Sequence, residues 1–122
     1  MPTRLLTFAG LICAAAIIYL SLVPGALRPH TAMHKDLEHF VAYLGTGFLL
    51  CCAARSALSR IAATTFLITF AAFAEAAQRF IPARTGDSAG FLASSAGAVA
   101  GLICGLIMIG IFRDLKTLMP RR

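Results

Sequence analysis

Four apolar runs separated by short polar breaks dominate the chain, at about 5–23, 37–54, 61–80 and 88–112. At about 1.5 Å per residue, such runs reach across a hydrocarbon layer of about 30 Å. A chain of 122 residues cannot hide that much apolar surface in its own interior, because small folds keep a high surface-to-volume ratio. The excess must face a solvent other than water. Composition agrees: 59% of residues are apolar and 13% charged, and mean hydropathy is +0.83. Soluble domains have about 45–50% and about 25%. The expected fold is all-α, a single domain over residues 1–122 built as an integral membrane bundle of four transmembrane helices with short loops.

The breaks define the runs. Arg4 precedes the first, and Pro24-Gly25 ends it. A signal peptide has an apolar stretch of only about 7–15 residues, so a retained helix is expected. The second run is long enough only if the polar stretch 36–39 lies at the interface. Arg55 and Arg60 bracket the next turn, Glu75 and Gln78 interrupt the third run, and Pro82 and Gly86 mark a loop. Connections of roughly six to fifteen residues make sequential helices antiparallel neighbours. Arg4, Arg55, Arg60, Arg113, Lys116, Arg121 and Arg122 then share one side, and Arg28, Lys35, Arg79 and Arg84 the other. Seven basic residues against four predicts that both termini are cytoplasmic and that the opposite end faces outward.

Net charge is +6, but the basic residues come singly or in pairs between apolar runs, so nucleic acid is not an expected partner. Cys13, Cys51, Cys52 and Cys104 lie within apolar runs without metal-ligand spacing and read as small buried hydrophobes. No metal and no cofactor is expected. Ala93, Gly97, Gly101 and Gly105 repeat a small residue every fourth position along one face of the last helix. Such a face lets another helix backbone approach closely. It serves either packing within the bundle or the seam of a homo-oligomer.

Ionisable groups within membrane segments are costly, so each is a candidate for function. Asp36, His39 and Tyr43 are spaced to share one helix face. Glu75 and Gln78 are one turn apart. Arg84 precedes the last run, where it could pair with Glu75 or Asp87 or clamp a phosphate or carboxylate, and Asp87 or Ser88 suits an N-cap. Topology gathers all seven, Asp36, His39, Tyr43, Glu75, Gln78, Arg84 and Asp87, at one end of the bundle. No GxSxG, HExxH or P-loop motif is present.

Three blocks in order resemble the VanZ-like family of small bacterial membrane proteins. They are Glu38-His39-Phe40-x-Ala42-Tyr43, then Glu75-x-x-Gln78 with Ile81-Pro82-x-Arg84, then Asp87 with Gly97 and Gly101, within about residues 35–101. The resemblance implies a multi-pass protein of the bacterial cell (inner) membrane, in a family first associated with low-level resistance to teicoplanin. That association is not carried over to this chain. Three features depart from the family pattern. Lys35-Asp36 reverses a common acidic-then-basic order, and Gly90 and Ser94 stand where a second Asp and an Asn are frequent.

The leading functional expectation is binding or modulation of a membrane lipid, or of a lipid-linked cell-wall precursor, through the outward-facing polar cluster. One alternative is a structural or assembly protein whose polar residues only lock the helices together. Another is a small intramembrane lipid hydrolase or transferase, with His39 as acid or base and Glu75 as its partner. The missing nucleophile motif counts against catalysis. Transport is a weaker fourth reading, because four short helices leave little room for a pathway.

Overall fold

The computed structural model describes residues 3–29 and 32–119. Arg121 and Arg122, counted above in the charge balance, lie outside the described residues. The chain is all-α: α1 spans Thr3–Leu22, α2 Lys35–Ala53, α3 Ala57–Gln78 and α4 Ser88–Leu118. A short 3-10 turn at Gly25–Leu27 follows α1. Three helices, α1, α3 and α4, are long and apolar enough to cross a membrane, with mean hydropathies of 2.3, 1.6 and 2.2 over their best stretches. They mark the chain as a multi-pass membrane protein. The 19-residue α2 is similar in length but opens on Lys35, Asp36, Glu38 and His39, which lower its hydropathy.

Local chemistry sets the boundaries. α1 stops at Leu22 because Pro24 follows, and a residue preceding proline is pushed out of the helical region. Asp36 and Glu38 lie in the first turn of α2, where negative charge favours the helix dipole. The connection from α2 to α3 is shorter than the apolar runs predict, because Ser56 and Ser59 form a reciprocal capping box that starts α3 at Ala57. Arg60, expected beside a turn, is already helical. Its guanidinium donates back to the Cys51 and Ala54 carbonyls at the end of α2. α4 runs beyond the expected boundary at 112 to Leu118, so it is about 46 Å long and carries Arg113 and Lys116 on its last turns.

The helices form a ring in the order α1, α2, α4, α3, with α2 against α4 as the largest interface. α1 also touches α3, and α2 touches α3 across the middle. Among the described residues, α1 and α4 do not meet. α2 and α4 run parallel. Gly97 faces Phe40, Gly101 faces Leu44 and Phe48, and Gly105 faces Cys51, each step advancing along both helices. The small-residue face of α4 is therefore filled by α2 at all three glycines, while Ala93 is only half-buried.

The radial distribution of side chains is inverted relative to a soluble protein. The interior holds small and polar residues: Ala14, Ala71, Ala74, Ala98, Thr46, Ser94 and Gln78. Large apolar side chains such as Phe8, Leu11, Phe66, Phe73, Leu92, Ile103 and Ile107 point outward. Close backbone packing inside and apolar bulk outside is the arrangement expected where the solvent is lipid.

A side chain at position 101 would overlap the Leu44 carbonyl and the backbone of Gly47 and Phe48, whereas position 110 faces open space. Gly101→Ala is expected to lower stability by about 1–3 kcal/mol. Gly110→Ala should leave it unchanged or raise it, because alanine favours helix over glycine. Thermal unfolding of both variants in the same detergent checks the contrast.

Candidate functional site

α2 and α4 begin at the same end of the bundle, where α3 finishes. Their parallel packing brings Lys35, His39, Glu75, Asp87 and Ser94 together. Glu75, in the last turn but one of α3, is 5% exposed, and its carboxylate is the hub. Its Oε2 accepts from the Asp87 backbone N–H at 2.9 Å and lies 4.0 Å from Lys35 Nζ. Its Oε1 lies 3.5 Å from His39 Nδ1. Lys35 also approaches Asp87 Oδ2 at 3.7 Å and donates to the Thr85 carbonyl. Two carboxylates thus share one ammonium group.

Asp87 is the N-cap of α4 and accepts from the Gly90 N–H at 2.8 Å. That hydrogen bond, followed by the Lys35 charge, holds its carboxyl below the usual carboxylate range. Gly90 has a second role. A Cβ there would overlap the Glu75 carboxylate, so this position accepts no side chain unless Glu75 moves. The space beside Gly90 is taken by a carboxylate from α3.

His39 Nδ1 is 3.1 Å from Ser94 Oγ as well as 3.5 Å from Glu75 Oε1. Both partners lie at the same ring nitrogen. A nucleophile–base–acid relay requires them at opposite nitrogens. Ser94 is also 1% exposed and out of reach of a substrate. The arrangement orients the imidazole but does not build a hydrolase triad. Tyr43, one turn deeper on α2, is buried beside Ser94 and Glu75.

Three of the expected residues are placed elsewhere. Asp36 does not share the inward face with His39 and Tyr43. It turns toward His34, whose ring nitrogen lies 3.8 Å from its carboxylate and caps the start of α2. Gln78 points away from Glu75 and donates to the Ser21 carbonyl at 3.1 Å. Arg84 reaches neither Glu75 nor Asp87. It donates to the Val23 carbonyl at 3.0 Å and to that of Leu20, closing the end of α1. The loop holding it packs on α1 as well: the Gly25 N–H donates to the Pro82 carbonyl, and Ala83 is held at φ 57° beside Gly25.

To the seven candidates the structure adds contacts of Lys35 and Ser94 with the cluster, and the Arg28–Glu38 ion pair. Lys35 lies four residues before His39 and Ser94 seven after Asp87, so helical spacing could have flagged both. No local signal links Arg28 to Glu38, which meet across the α1–α2 connection. A groove of about 330 Å³ opens there between α1 and α2. Ile17, Leu20, Val41, Ala42 and Tyr43 form its walls, and Arg28, Glu38, His39 and Arg84 its polar side. Among the described residues, no group of three or more His, Cys, Asp or Glu side chains is placed to hold a metal ion. No family model, curated protein or solved structure matches the chain.

Asp87 gives a pH test. A carboxyl with a depressed folded-state pKa contributes stability that is full above its unfolded value and lost as pH falls through the folded one. Asp87→Asn keeps a capping side chain but removes the charge shared with Lys35. The variant should be less stable than wild type at pH 7, and the difference should shrink below about pH 4. Unfolding midpoints of both proteins from pH 7 to pH 3 measure this.

Proposed function

We propose that the chain is a VanZ-like, four-span protein of the bacterial inner membrane, with both termini cytoplasmic, that binds an amphiphile at the outward end. Its ligand class is a membrane lipid or a lipid-linked cell-wall precursor. The observation that carries this reading is the α1–α2 groove. Its apolar walls suit a hydrocarbon chain, and Arg28 and His39 at its polar side suit a charged head. α2 counts as the fourth span because it is close to α1 and α3 in length and packs along α1 and α4. The basic residues at the N-terminus, the α2–α3 turn and the end of α4 support the orientation.

A structural reading has its own support. Gln78, Arg84, Asp87 and one oxygen of Glu75 all bind backbone groups of helix ends. These residues hold the bundle together whether or not a ligand enters. The hydrolase alternative lacks this support, since Ser94 and Glu75 crowd the same nitrogen of His39.

Two substitutions separate binding from structure. Ala42→Trp fills the groove from its wall and leaves the polar cluster intact. A photoreactive polyprenyl phosphate and a photoreactive diacyl phospholipid are the probes. Cross-links to Ile17, Leu20 or Met33 are expected in wild type and should disappear in Ala42→Trp while the unfolding midpoint holds. Glu75→Gln should instead cost about 1–3 kcal/mol of stability, because one accepting oxygen becomes a donor and the charge facing Lys35 is lost. Cross-linking by neither probe, or cross-linking undiminished by Ala42→Trp, removes the binding reading and leaves the structural one.

A further inference from the structure

The two ends of the bundle differ in charge. The end bearing the cluster holds Arg28, Lys35, Arg79 and Arg84 against Asp36, Glu38, Glu75 and Asp87, so acid and base balance. The opposite end holds Arg4, Arg55, Arg60, Arg113 and Lys116 against Asp114 alone. Arg60 is committed to the Cys51 and Ala54 carbonyls, and Arg113 lies beside Asp114 at 3.8 Å. Arg4 and Arg55 are paired with no carboxylate among the described residues.

These two arginines come from different elements, the first turn of α1 and the α2–α3 turn, yet they line one groove of about 330 Å³. Thr3 and Thr7 add hydroxyl groups, and Phe8, Leu11 and Ala53 complete the lining. Phe8 and Leu11 are exposed on the outer surface of α1. They lie about 6 Å and about 10 Å along the helix from Arg4. Two guanidinium groups and the Thr3 hydroxyl therefore stand at the helix end, the Thr7 hydroxyl one turn further in donating to the Thr3 carbonyl, with an apolar strip running from them toward the middle of the bundle. A guanidinium fork matches phosphate oxygens, and an uncompensated basic pocket between helices suits an anionic headgroup.

We infer that this groove binds the phosphate of an anionic phospholipid through Arg4 and Arg55, with an acyl chain lying over Phe8 and Leu11. The inference rests on the bundle lying in a bilayer and is independent of the groove at the other end. The ligand chemistry is a phosphate ester. The apolar strip makes it a lipid rather than a free phosphate.

Native mass spectrometry of the purified full chain, with phosphatidylglycerol and phosphatidylcholine offered together, tests the inference. Wild type should retain phosphatidylglycerol on the order of tenfold over phosphatidylcholine. Arg4→Gln/Arg55→Gln should bring the ratio close to one, and Arg113→Gln/Lys116→Gln should preserve it. A phosphatidylglycerol probe with a diazirine on its acyl chain gives a readout on the unmodified protein, with cross-links expected at Phe8 and Leu11. Three results overturn the inference: selectivity retained by the Arg4/Arg55 variant, equal loss in the Arg113/Lys116 variant, or wild-type cross-links confined to other surfaces. Displacement of the lipid by an equal concentration of glycerol 1-phosphate overturns the lipid assignment in favour of a free phosphate ester.

Discussion

Each helix leaves four amide hydrogens and four carbonyl oxygens without partners inside the helix, and in an apolar medium water is not there to take them. The rest of this structure depends on how those groups are satisfied. The end of α1 is closed by Arg84 and Gln78, which reach the Leu20, Ser21 and Val23 carbonyls from α3 and its following loop. The end of α2 is closed by Arg60 of the next helix. The starts of α3 and α4 are closed by Ser56 and Asp87, and Glu75 takes the Asp87 N–H. Apart from the local caps at Ser56 and Asp87, these bonds join different elements, so closing a helix end also fixes the position of its neighbour. Much of the bundle's polar content is accounted for in this way.

The glycines of α4 do the complementary work. Because Gly97, Gly101 and Gly105 meet α2 in parallel register, the polar first turns of α2 fall beside the first turns of α4. Lys35 then reaches Asp87 and Glu75, and His39 reaches Ser94. The cluster is thus a product of backbone packing tens of ångströms long rather than of local loop structure. Gly90 shows the coupling most directly: the missing side chain on α4 is the space in which the α3 carboxylate lies.

Much of the architecture was legible in the chain itself. Apolar length and the positions of Pro24, Pro82 and Asp87 place all four helices to within about four residues at each end, except the end of α4, which runs on from 112 to Leu118. The end at which the polar residues gather also follows from topology. Their individual tasks did not, because a single periodicity cannot tell which neighbour a side chain meets. Gln78 and Glu75 are one turn apart, yet one faces α1 and the other α2 and α4. Asp36 has the spacing to join His39, but the first turn of α2 lies at the rim, where His34 is its partner. Arg84 reads as free to clamp an anion until the carbonyls at the end of α1 are given positions. Arg28 and Glu38 lie ten residues apart in a connection whose path no local rule specifies.

That division of labour narrows how a ligand could be recognised at the α1–α2 groove. Arg84 lines it but is held by two backbone carbonyls, and withdrawing it would leave the end of α1 unsatisfied. Arg28 is different. Its partner is the Glu38 side chain, and both lie partly exposed at the groove. The pair is partly buried, and unlike Arg84 the Arg28 side chain holds no backbone carbonyl of a helix end. An anionic head entering the groove would replace Glu38 on Arg28 and leave that carboxylate free to turn toward solvent. No helix end is opened by the exchange. A cationic head would need Glu38 released from Arg28, which leaves two basic side chains, Arg28 and Arg84, facing it. Under the proposed amphiphile-binding reading, this charge arrangement would favour a negatively charged head, met by Arg28 rather than by the residues that hold the bundle together.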